Sequence, residues 1–165
     1  MRWIWIDKFV EFTPRASATA VKNVTLAEEH LHDLYPDFPI VPHSLIVEGM
    51  AQTAGILVGE ARNFAEKVIL AKVGRATVHR LVRPGETIGY NAKIDQLSEQ
   101  GASISGTVTA IQGQGQSNLV AEIEMMFSHI DQNLAGQRFP EHNFVFTEQF
   151  TELLKAYRTG TDVTI

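Results

Sequence analysis

The sequence predicts an α+β fold in which an antiparallel sheet wraps one buried helix, and three observations carry that expectation. Residues 44–63 (SLIVEGMAQTAGILVGEARN) are apolar on nearly every side, the pattern of a helix enclosed by other structure. The segments after it are rich in β-branched residues and separated by turn signals at Gly74, Pro84-Gly85, Glu99-Gln100-Gly101 and Gly113-Gln114-Gly115. These strands cluster behind a single buried helix, which argues against a doubly wound parallel sheet.

Taken in order, residues 3–12 (Trp3, Ile4, Trp5, Ile6, Phe9, Val10, Phe12) and 17–26 (Ala18, Ala20, Val21, Val24) read as strands flanking a Thr13-Pro14-Arg15 turn. Residues 26–43 hold Pro36, Pro39 and Pro42, which suit neither a helix interior nor a central strand, so a short helix and an ordered loop are expected. Pro42 and Ser44 are start signals for the long helix. Its small residues Gly49, Ala51, Ala54, Gly55 and Gly59 recur at near-turn spacing, which lets another backbone layer approach closely. Glu48 and Gln52, four apart and on one face, are the strongly polar side chains of its first two-thirds. Strands are expected at 67–73, 75–82, 86–97, 102–112 and 117–128.

Residues 129–146 read as an irregular connection. Residues 147–158 read as an amphipathic helix capped by Thr147, with Phe150, Leu153, Leu154 and Tyr157 as its apolar stripe packing on the body or on a partner subunit. The expected division is a domain over 1–128 and a C-terminal extension over 129–165. Unpaired sheet edges invite association, so a homodimer, or a larger assembly of dimers, is expected.

The 165 residues are 44% hydrophobic and carry 14 Lys+Arg against 19 Asp+Glu, a formal charge of −5. That balance supplies no concentrated basic surface for a general nucleic-acid binder. With no cysteine, disulfide frameworks, thiolate nucleophiles and the usual structural zinc sites are excluded. The first eight residues lack the apolar core of a signal peptide, and no apolar run approaches the roughly 18 residues of a membrane span, so a cytoplasmic protein is expected.

Asn23, Val24, Thr25, Glu28, Pro36, Pro39, Pro42, Leu45, Glu48, Ala51 and Gln52 fall without a gap on the pattern N-V-T-x-N-E-x-x-F-x-G-H-F-P-G-x-P-x-x-P-G-x-L-x-x-E-x-x-A-Q. In this block the chain resembles the β-hydroxyacyl-acyl-carrier-protein dehydratases, which have the hotdog fold. Ile6-Asp7-Lys8, Arg80 to Glu86 (RLVRPGE) and Val120-Ala121-Glu122 extend the likeness, so about residues 3–128 are covered. The resemblance implies a hotdog domain that takes an acyl thioester, on carrier protein or CoA, into a tunnel along the central helix at a dimer interface. It implies no cofactor.

The departures bear on function. In register, the family's catalytic His falls on Leu34, its following Phe on Tyr35, and the Gly that opens the central helix on His43. The resemblance makes Glu48 the dyad carboxylate, meeting the histidine across the dimer, with Gln52 in support. Leu34, Tyr35, Pro42 and Ser44 become candidates for lining the substrate site. His43, at a helix start where the dipole favours neutral imidazole, is a candidate displaced base opposite Glu48, or else a side chain that obstructs the tunnel. His30 and His32 form an H-x-H pair near Asp33 and Asp37, but spacing fixes no fuller ligand set and no metal is expected. Lys72, Arg75, Arg80 and Arg83 concentrate positive charge after the helix, which the resemblance makes a docking patch for an acidic carrier.

Two function classes follow. One is an enzyme: a dehydratase with Glu48 as acid, or a thioesterase in which Glu48 activates water. The other is a non-catalytic acyl or acyl-carrier binding protein, favoured by Leu34 as the retained Glu48 and Gln52 favour the enzyme.

Overall fold

The computed structural model describes residues 3–113, 115–130, 136, 140–143 and 145–160. The chain runs β1 (Lys8–Thr13), β2 (Ser17–Asn23), α1 (Glu29–Asp33), α2 (His43–Glu60), β3 (Val68–Val78), β4 (Glu86–Leu97), β5 (Gly101–Gln112), β6 (Asn118–His129) and α3 (Glu148–Arg158). All strands pair antiparallel in one sheet, ordered β1-β2-β4-β5-β6-β3. The sheet curls round α2, which touches β2, β3, β4, β5 and β6. This is the hotdog arrangement that the motif resemblance implies.

Period-two burial in β4, β5 and β6 sends Ile88, Tyr90, Ala92, Ile104, Val108, Ile123 and Met125 inward onto Ile46, Met50, Ala54 and Leu57 of α2. Enclosure on all sides explains why α2 lacks a polar stripe. Its glycines serve side chains rather than a second backbone layer, correcting the sequence expectation. A Cβ at Gly49 would stand 2.2 Å from Tyr90 Cζ, and one at Gly59 would stand 2.3 Å from Phe146 Cζ. Aromatic rings therefore sit where the helix has no side chain.

Four boundaries differ from expectation. Residues 67–73 and 75–82 are not two strands; β3 runs through Gly74 with a register shift between Val73 and Arg75. Gly74 marks a bulge, and continuous pairing with β6 carries the strand across it. Residues 3–7 do not join a regular strand, because their N–H groups turn partly toward α2. The long helix starts at His43 with Pro42 as N-cap and ends at Glu60 rather than Asn63, where positive φ at Asn63 and Phe64 redirects the chain. Thr147 does hold the N-cap position of α3, yet its hydroxyl makes no capping hydrogen bond.

α3 lies against β1. Leu154 is buried, the Phe12 N–H donates to Tyr157 Oη at 3.2 Å, and Arg158 pairs with Glu60 of α2. The β1 edge is thus covered, while β3 at the opposite edge is unpaired on its outer side among the described residues, with Ile69, Leu70 and Val73 each about 40% exposed. Among the described residues, no helix is long and apolar enough to cross a membrane.

Candidate active site

Glu48 and Gln52 stand one turn apart on the same face of α2. Gln52 is buried and all its hydrogen-bonding capacity is directed. Its Oε1 accepts the Trp5 N–H at 2.8 Å and the Ile6 N–H at 3.4 Å, and its Nε2 donates to the Trp3 carbonyl at 3.3 Å and to Glu48 Oε1 at 2.8 Å. Two backbone donors on Oε1 fix the amide's orientation, so Nε2 must face Glu48. Among the described residues, Gln52 is the hydrogen-bond partner of Glu48. The second carboxylate oxygen is left for another group.

Beneath this pair, the Trp5 indole N–H donates to Tyr90 Oη at 2.8 Å. Burial pushes the Tyr90 hydroxyl well above its usual range, more than the Trp5 hydrogen bond lowers it, so the phenol stays neutral and structural. Tyr90 in turn packs on Gly49, which locks the helix rotation that presents Glu48.

Glu48 and Gln52 open into an apolar pocket of about 210 Å³. Ala51, Gly55 and Ile56 continue its wall along α2, Val68 and Leu70 come from β3, and Phe127 from β6. Val145, Phe146 and Phe150 complete it. Sequence reasoning missed these three as site residues, placing two in an irregular connection and Phe150 on a packing stripe. The available signal was Gly59, one turn beyond Gly55, whose missing side chain leaves room for the Phe146 ring.

The remaining candidates gather at the start of α2. His43 and Ser44 are its first two residues and both are exposed. Ser44 is one turn before Glu48 on the same face, whereas His43 is five residues before it and about 140° round the helix. The N–H groups of His43 and Ser44 have no backbone acceptor among the described residues, as expected of a helix N-terminus. Pro42 is half-buried; Leu34, 57% exposed, follows α1, with Tyr35 and Phe38 exposed beside it. No imidazole in the protomer is hydrogen-bonded to Glu48 among the described residues. His32 pairs with Asp33 at 3.0 Å, and His30 lies 3.9 Å from Glu28 against the Trp5 ring. Among the described residues, no group of three or more His, Asp or Glu converges as a metal-ligand set.

The cations divide. Arg80 is half-buried and donates to Glu86 Oε1 at 2.7 Å. Arg83 stacks over the Phe38 ring at 4.4 Å, and its N–H donates to Glu86 Oε2 at 2.7 Å. Arg75 pairs with Glu124 at 2.8 Å across exposed strand faces, and Lys72 is exposed on β3.

Comparison with known proteins bears on the family and the fold. The chain is 36% identical over 111 residues to the 3-hydroxyacyl-[acyl-carrier-protein] dehydratase FabZ of Rickettsia rickettsii (strain Sheila Smith), covering 65% of this chain and 75% of that protein. The FabZ of Rickettsia bellii (strain RML369-C) is also 36% identical, over 110 residues, covering 64% of this chain and 74% of that protein. Among solved structures, a thioesterase family protein from Silicibacter pomeroyi superposes with a TM-score of 0.61 at 9% identity, covering 73% of this chain and 82% of that one. The smu.793 protein of Streptococcus mutans UA159, solved bound to acetyl CoA, gives 0.60 at 15% identity over 78% and 91% of the two chains. At those identities the likeness is one of fold. The FabA-like domain family matches residues 4–124, from the segment that clamps Gln52 through most of β6, and the chain belongs to that family.

Proposed function

We propose that the protein is a (3R)-3-hydroxyacyl-thioester dehydratase of fatty-acid or lipid synthesis, acting as a homodimer on substrates held by an acyl carrier protein. The observation that carries this reading is one carboxylate, Glu48, fixed by Gln52 where a polar helix start meets an apolar pocket. Dehydration removes a proton from C2 and expels the C3 hydroxyl as water. Glu48 delivers a proton to the departing oxygen, and the free N–H groups at the start of α2 polarise the thioester carbonyl so that C2 becomes acidic. The acyl tail enters the pocket between α2 and β3. Names of the FabZ relatives support the reaction class and the carrier.

The C2 proton needs a base. His43 points away from Glu48 of its own helix by about 140°, so it serves instead the Glu48 of the partner subunit in a dimer joined at the open β3 edge. Lys72 and Arg83 receive the acidic carrier, whereas Arg80 is engaged by Glu86 and Arg75 by Glu124. A second reading has its own observation: Leu34, where the resemblance expects the base, is an exposed aliphatic side chain, which suits a non-catalytic acyl-binding protein.

The test is hydration of 2-enoyl thioesters and dehydration of 3-hydroxyacyl thioesters, on carrier protein and on CoA, with thiol release followed in parallel. Turnover without thiol release is expected, and Glu48→Gln should lower kcat/KM about a thousandfold. Thiol release dependent on Glu48 would make the protein a thioesterase. Acyl binding with no turnover of either kind establishes the non-catalytic reading. His43→Gly should lower kcat; a rise would show that the imidazole obstructs the tunnel.

A further inference from the structure

The pocket is closed by chain that lies beyond the family match. The match ends at residue 124, yet Val145, Phe146 and Phe150 form one wall of the pocket that Glu48 opens into. Along α2 the lining residues are Glu48, Ala51, Gln52, Gly55 and Ile56, so the pocket runs from the helix start toward its C-terminal end. Phe146 stands across that path. Its ring occupies the space above Gly59, and it meets Phe64 edge-on with centroids 5.0 Å apart.

This wall is fixed rather than loosely draped. Asn143 Nδ2 donates to the carbonyls of Phe64 at 2.9 Å and Glu66 at 3.1 Å, while its Oδ1 accepts the N–H groups of Val145 at 3.0 Å and Phe146 at 3.2 Å. One side chain thus ties the segment to the turn after α2. The following helix is held by buried Leu154, by Tyr157 on β1 and by Arg158 on Glu60. Gly59 completes the fit, because any side chain there would collide with the Phe146 ring.

We propose that the segment Val145–Phe150 sets the length of acyl chain the protein accepts, with Phe146 as the end wall of the pocket. The inference rests on the acyl-thioester reading above and specifies its substrate class. From the level of Glu48 to that of Ile56 is eight residues, about 12 Å of helix rise. An extended chain advances about 1.2 Å per bond, so about ten bonds of alkyl chain fit before the ring is reached. Short and medium acyl groups fit this space, and longer chains collide with Phe146. The fold of the domain does not impose the limit; the extension does.

The experiment measures binding of a ladder of saturated acyl-pantetheines, from butyryl to palmitoyl, by calorimetry on the full-length protein, alongside turnover of the matching 2-enoyl thioesters. Wild-type affinity should rise about fourfold per methylene up to about ten bonds and then level off or fall. Phe146→Ala should move the break to longer chains and raise the palmitoyl-to-octanoyl affinity ratio about tenfold or more. Phe150→Ala, on α3, should move it in the same direction, and Phe146→Leu, which keeps an apolar filler, serves if Phe146→Ala does not fold. A wild-type ladder with no break, or a break that none of these variants moves, overturns the proposal and leaves the acyl-thioester reading standing. Absence of binding at every length, together with absence of turnover, overturns both.

Discussion

Gln52 shows how one amide can orient a reactive carboxylate. Two backbone N–H groups from the N-terminal segment fill its Oε1, and a flipped amide would set donors against donors. The 3.6-residue repeat makes the Glu48–Gln52 pairing legible from sequence; the partners of Gln52 are not, because Trp5 lies 47 positions away. Glu86 illustrates a different balance. Burial by itself raises its carboxyl, but the Arg80 hydrogen bond, the Arg83 N–H and the charges of both arginines outweigh it and hold the group below its ordinary value of 4.5. A depressed carboxylate binds fewer protons folded than unfolded, so its contribution is complete above the ordinary value and is lost as pH falls through the folded one. Glu86→Gln should therefore cost on the order of 2 kcal/mol at neutral pH, leaving Arg80 without its carboxylate. Calorimetric Tm followed from neutral pH into the acid range should fall less steeply for Glu86→Gln than for wild type. Equal slopes would show that this pair does not contribute to acid sensitivity.

At the level of elements, α2 was legible as a buried helix because no polar stripe interrupts it. What its glycines face was not, since the answer lies in Tyr90 and Phe146, far along the chain and reachable only through the sheet topology. β3 carries the same lesson in reverse. Gly74 is compatible locally with a turn or a bulge, and pairing with β6 selects the bulge. The glycines also separate by space. Replacing glycine by alanine inside a helix ordinarily gains up to about 1 kcal/mol. Gly55→Ala should keep much of that gain, since its new Cβ would rest 3.5 Å from Phe127 Cε1, ordinary contact. Gly49→Ala should instead destabilise by about 2–4 kcal/mol, because the Cβ would stand 2.2 Å from the Tyr90 ring, and Met50, seated in the space where Gly106 has no side chain, ties the next helix residue to β5. Urea unfolding of the two variants checks the contrast, and a neutral Gly49→Ala would mean that Tyr90 can move aside.

The whole molecule leaves its two sheet edges in different states, and that asymmetry bears on assembly. β1 is sealed by α3, through the Phe12 N–H on Tyr157 and the packing of their rings. β3, eleven residues long, is an edge strand with no outer partner among the described residues; Ile69, Leu70 and Val73 stand half out, and Leu70 also lines the Glu48 pocket. A long apolar edge left free in one protomer is a template for a second copy, and pairing about a twofold axis buries it on both sides at once. The base role proposed for His43 requires that the same pairing bring the start of one α2 toward the pocket of the other. Sequence alone pointed to edge pairing but not to which edge, because the covering of β1 depends on where the C-terminal helix docks. A double substitution, Ile69→Lys with Val73→Lys, sets like charges facing each other across the twofold axis while sparing Leu70. Light scattering coupled to size-exclusion chromatography should then show a monomer at concentrations where wild type is a dimer, with circular dichroism unchanged and turnover lost together with the dimer. A variant that stays dimeric removes β3 from the interface, and a monomer that retains full turnover places the whole reaction within one chain.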